Sequence, residues 1–151
     1  MIVKESPLIL NEFLLLKSNY EFIEPKTKDG ININDVYNTY LVDIDYSIQG
    51  DENHANIFVK VEVNNAEYKE CGYSLMVEGV GIFGFDEDSN LDKEEKGNLV
   101  FYSAISICIS NLRAILTVTL GFLSTISILP AKVSYLVKKI DSFKPAILGE
   151  R

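Results

Sequence analysis

The stretch Asn98–Pro130, NLVFYSAISICISNLRAILTVTLGFLSTISILP, constrains this chain more than any other, because its only charge is Arg113. In water such a surface must be covered by the rest of the chain, by a partner or by lipid. It is long enough for a bilayer, which takes about 20 apolar residues. Against lipid stand Asn111 and Arg113 near its middle and the recurring serines and threonines. An arginine at mid-membrane costs roughly 2.5–3.5 kcal/mol on insertion scales. The flank is also wrong for a span: an acidic run, Asp86–Glu95, precedes it with no cluster of basic residues.

A soluble helix suits the first part better. Leu99, Tyr102, Ile105, Ile109, Leu112 and Leu116 recur at three and four residues, which predicts one wide apolar stripe. Val100, Ala104, Ile107 and Cys108 widen it. The β-branched run after Ile115 and Gly121 end this helix near Thr119, and Pro130 opens a shorter closing helix over 131–140. A helix apolar nearly all round predicts cover by a second subunit as well as by its own sheet.

The chain has 151 residues, enough for one domain burying roughly two thirds of its unfolded surface. Residues 1–7 and 142–151 are expected as flexible tails. A net charge of −8 tells against nucleic acid, whose phosphates require a basic surface. Cys71 and Cys108 show no metal-ligand spacing and sit among apolar residues, so buried free thiols in a reducing cytoplasm are expected. The start, Met-Ile-Val-Lys-Glu, has no signal-peptide pattern.

Taken in order, Leu8–Phe22 reads as a strand with Leu14, Leu16, Tyr20 and Phe22 on one face and Lys17, Asn19 and Glu21 on the other. Its first half is also compatible with helix. A polar loop over 24–35 follows. Tyr40, Val42, Ile44, Tyr46 and Ile48 then alternate with Leu41, Asp43, Asp45 and Ser47, and Ala55, Ile57, Val59, Val61 and Val63 with Asn56, Phe58, Lys60 and Glu62. Turn-forming residues fill 49–53 and 64–65. A third run over 68–85 sets Tyr73, Leu75, Val77, Phe83 and Phe85 on one face. Period-2 runs joined by short turns mean an antiparallel meander, solvated on one side at Asp43, Asp45, Lys60 and Glu62. Strands first and helices last predict an α+β fold: a four-stranded antiparallel sheet, meander plus first strand, covered by a long helix and a short C-terminal helix.

Catalytic chemistry finds little footing. Asp86–Asp92 opens like a calcium loop, but Leu91 replaces the turn glycine and Gly97 the closing glutamate. An acidic helix start explains it better. His54, the only histidine, lies at a hairpin turn with no nucleophile motif beside it. Val77-Glu-Gly-Val-Gly81 lies inside a strand pattern, so its glycines mark a bulge or a close backbone approach and not a phosphate loop. The reading is a non-enzyme without cofactor or metal.

Three motifs nevertheless carry a likeness. Tyr73-Ser-Leu-Met-Val-Glu-Gly-Val-Gly-Ile-Phe83 is one. A second is Asn98-Leu-Val-Phe101, followed by Asn111-Leu-Arg113, Gly121-Phe122 and Leu129-Pro130. The third is Phe13-Leu-Leu-Leu-Lys17 with Phe22-Ile-Glu-Pro25. Over about residues 9–140 the chain resembles the SecB-like chaperones, export SecB and its toxin–antitoxin relatives. The resemblance implies a cytoplasmic, ATP-independent holdase for unfolded or precursor polypeptides, assembled as a homotetramer, a dimer of dimers. It makes Tyr20, Phe22, Phe83, Phe85, Phe101, Tyr102 and Phe122 the candidate lining of client grooves, though at least half are expected to be ordinary core. Aligned on Gly81-Ile82-Phe83, the third-strand acid that helps to dock the SecA motor falls on Met76, with Glu78 on the same side as the candidate docking residue. The first-strand acid falls near Ser18 or Asn19, and the tail from Ser142 is unlike the motor-binding tail. These departures weaken the case for SecA and favour a dedicated client such as an antitoxin equally well. A different class of function is a small α+β module holding an apolar ligand between sheet and helix.

Overall fold

In the computed structural model the described residues are 5–26 and 40–120, with side chains described as far as Leu116. Residues 27–39, with most of the expected loop, Phe122, the expected closing helix over 131–140 and the expected tail from Ser142 lie outside them. Four strands form one antiparallel sheet: β1 (Leu8–Ile23), β2 (Val42–Gly50), β3 (His54–Val63) and β4 (Gly72–Phe85), in the order β1-β4-β3-β2. A helix follows in three continuous pieces: α1 (Lys93–Asn98), a π-helical stretch (Leu99–Ala104) and α2 (Ile105–Leu120). The α+β sheet-and-helix architecture is therefore as the sequence predicts, with β1 a strand throughout.

One face of the sheet is the core. Val42 and Ile44 of β2, all five alternating residues Ala55–Val63 of β3, and Val77 and Phe83 of β4 are buried on it. From the helix, Phe101, Ala104, Ile105, Cys108, Ile109 and Leu112 pack against them. Gly79 and Gly81 of β4 make the approach possible. A Cβ on Gly81 would stand 2.5 Å from Cys108 Sγ, and one on Gly79 would stand 2.6 Å from Phe13 Cζ and 3.0 Å from Leu112. The glycine-rich run is thus the floor on which the helix rests.

The helix differs from its predicted stripe at one place. Ile105, Ile109 and Leu112 face inward as expected, but Tyr102 is on the outside and Phe101 is in the core. The ordinary helical period already places Phe101 there: it lies four residues before Ile105 and seven before Cys108, all three buried on one face. Outside, Ser106 and Ser110 hydroxyls donate to the carbonyls of Tyr102 and Ser106, at 2.7 and 2.9 Å. The outer face is therefore less apolar than composition suggested. By length and composition alone, Lys93–Leu116 could still cross a bilayer.

At the start of the helix, the acidic run serves as a cap. Asp92 accepts from Glu95 N at 2.8 Å while the Glu95 carboxylate accepts from Asp92 N at 3.1 Å. Upstream, Asp86 Oδ1 accepts from Asp88 N in a tight turn.

Candidate functional site

The first strand carries the exposed apolar surface. Its 16 residues form one edge of the sheet, paired among the described residues with β4 alone. The register slips twice, between Leu10 and Glu12 and between Leu15 and Lys17. Each slip inserts one residue, Asn11 and Leu16, and resets which side chains share a face. Leu8, Leu10 and Phe13 consequently turn toward the helix and reach the core. Leu14 turns to the far face, in one row with Val80 and Phe58. Tyr20 and Phe22 turn back to the helix side, beyond its cover. The single face that the sequence predicts for Leu14, Leu16, Tyr20 and Phe22 is therefore split by these bulges.

The result is six large apolar side chains in the open on one edge strand: Ile9, Leu14, Leu15, Leu16, Tyr20 and Phe22, each 40–52% exposed. At the end of this strand an aromatic shelf forms. Tyr73 of β4 stacks on Tyr20 with centroids 5.5 Å apart and meets Phe22 edge to face at 5.2 Å. Partial burial, with the Tyr73 hydroxyl beside it, lifts the Tyr20 phenol above its ordinary value. Lys69 Nζ joins Glu21 at 3.0 Å and ties the β3–β4 loop to the strand. Tyr68 in that loop is 87% exposed, and Leu41 before β2 is also open. An edge strand offers free main-chain donors and acceptors, and its alternate side chains offer apolar contacts. Together they can take an extended polypeptide as an added strand.

The predicted lining residues divide. Tyr20 and Phe22 are brought together on the shelf, whereas Tyr102 is exposed on the outer helix face and Phe85 is half-buried. Phe83 and Phe101 are 0% and 4% exposed in the core, within the expectation that at least half of the seven are ordinary core. Phe122 lies outside the described residues. Tyr73, Leu14, Leu15, Leu16 and Ile9, which share this edge with Tyr20 and Phe22, were not among the candidates read from the sequence. The run Leu14-Leu15-Leu16 held the available signal, because three successive leucines cannot all face one side of a strand.

Glu78 sits on the far face, half-buried, in a row of alternating charge: Asp45, Lys60, Glu78 and Lys17 are register partners across all four strands. Lys60 bonds Glu62 at 2.9 Å, and its ammonium is held above the usual value first by Glu62, with Asp45 and Glu78 adding. His54 bonds Asp51 at the hairpin tip, Nδ1 to Oδ1 3.5 Å, with both side chains open to solvent. Cys108 is buried with its thiol 3.9 Å from the Ile57 carbonyl, and burial pushes it up to about 11.

No protein-family model matches the chain, and no curated protein does. Among solved structures, the chain is similar in fold to Rv1957 of Mycobacterium tuberculosis, a SecB-like chaperone, in complex with a ChAD peptide from the Rv1956 HigA1 antitoxin. The TM-score is 0.50 at 13% identity, covering 78% of this chain and 84% of the other. What the likeness establishes is the fold: a SecB-like arrangement of a four-stranded antiparallel sheet and a long helix.

Proposed function

We propose that this chain is a SecB-like, ATP-independent holdase that binds non-native polypeptide without catalysis. The observation that carries the proposal is the β1 edge, a 16-residue strand with six exposed apolar side chains and an aromatic shelf at its end. Such an edge invites strand addition, and a monomeric protein normally blunts it with charge, proline or a cover. Client chains would add along β1 and set apolar residues against Leu14, Leu16, Tyr20 and Phe22. Tyr102 and Phe85 belong to the same proposal as outlying contacts.

A dedicated client such as an antitoxin segment is the better supported partner. The fold neighbour holds an antitoxin peptide. The SecA alternative lacks its acid at Met76, and Glu78 stands in register between Lys60 and Lys17. The assembly we propose is a homotetramer in the cytoplasm, with light scattering expected to give the mass of four 17.0 kDa chains.

The test is aggregation of a chemically denatured client on dilution, followed by turbidity. Wild-type chain in slight molar excess is expected to suppress it. A Leu14→Ser/Leu16→Ser/Tyr20→Ser/Phe22→Ser variant is expected to lose most of that effect while keeping its circular dichroism. Unchanged aggregation at several-fold excess of wild type would end the proposal.

A further inference from the structure

At the end of the sheet opposite Tyr20 and Phe22, the β2–β3 hairpin tip and the first helical turns stand apart. They leave an open cleft of about 640 Å³. That size suits one small organic molecule. Its floor is apolar, formed by Ile48, Ala55, Phe85, Val100 and Phe101. Two lysines of the first turn, Lys93 and Lys96, stand at its rim.

Lys96 is already positioned. Its ammonium donates to the Glu52 carbonyl at 3.2 Å and to Asn53 Oδ1 at 3.4 Å, and lies 5.3 Å over the Phe85 ring. All three partners are uncharged, so they orient the cation without neutralising it. Lys93 makes no ion pair among the described residues. Of the two acids at the rim, Asp51 is committed to the turn. Its Oδ1 accepts from Asn53 N at 2.8 Å and His54 N at 3.0 Å, and these amides hold its carboxyl below the usual range. Glu52, also at the rim, is exposed and its carboxylate pairs with neither lysine. The cleft therefore joins an apolar floor to two cations that no carboxylate pairs with among the described residues.

We propose that this cleft binds one amphipathic organic anion, an aryl or medium-chain alkyl carboxylate. Its apolar body lies on Phe85 and Val100, and its carboxylate takes charge-assisted hydrogen bonds from Lys96 and Lys93. The site shares only Phe85 with the holdase reading, lies apart from the exposed β1 residues and does not depend on that reading.

Isothermal titration calorimetry of the full chain with α-naphthaleneacetate and with its neutral isostere, α-naphthaleneacetamide, tests this. The acid is expected to bind at one site per chain, with the amide roughly tenfold weaker or more. The Lys93→Gln/Lys96→Gln variant should bring the acid down to the amide's affinity. Gly97 also lines the cleft; Gly97→Leu, a better helix former, should keep the fold and abolish binding of both. Client holding should be unchanged in these variants. Equal affinity for acid and amide, no measurable binding, or full binding by the Gly97→Leu chain would each overturn the proposal.

Discussion

Gly81 marks the closest approach of helix and sheet. Its missing side chain is the space that Cys108 Sγ and the Phe83 ring occupy. Gly81→Ala forces a methyl into that space, and overpacking of a closed core costs about 1–3 kcal/mol. Urea denaturation is expected to show that loss, with Cys108→Ala in the same chain recovering most of it. Cys108 itself makes stability depend on pH. Its thiol is fully buried and titrates at about 11, above its ordinary 9.0. The unfolded chain ionises first, so the thiol's contribution is whole below pH 9 and is lost as pH rises toward 11. The loss is up to about 2–3 kcal/mol by linkage. The checking measurement is urea denaturation at pH 8 and at pH 10.5, with Cys108→Ala flattening the difference.

At the scale of elements, the start of the helix depends on a reciprocal cap. Asp92→Ala removes the bond to Glu95 N and strands the Glu95 carboxylate. A drop of about 1 kcal/mol is expected in thermal or urea unfolding. Such caps are legible in sequence, and so were β2 and β3, whose unbroken period of two predicted every buried residue on their core face. β1 was legible as a strand but not as a surface. Its two bulges carry no glycine or proline signature, and each silently exchanges the faces of every later residue. On the helix, Phe101 lies on the inward face with Ile105 and Cys108 while Tyr102 lies outside it, although both continue an apolar stripe at three and four residues. Composition marks an aromatic as apolar without saying which side of a layer it takes. This is why Tyr20 and Phe22 could be named together with Phe83 and Phe101, although only the first pair is exposed.

At the scale of the whole molecule, the described residues set one layer of helix on one face of the sheet. The covered part holds the core, and on the far face Asp45, Lys60, Glu78 and Lys17 share one register row of alternating charge. What remains is the β1 edge, apolar and open, at the place where an extended chain would add. The central claim is that this edge receives the client. Hydrogen exchange of the full chain, with and without a permanently unfolded client, reads it directly. The account predicts slowed exchange over Leu8–Ile23, extending to Tyr73 in β4, with the hairpin tip at 50–55 unchanged. Protection confined to the hairpin tip or the helix, or none at client concentrations that suppress aggregation, would contradict it.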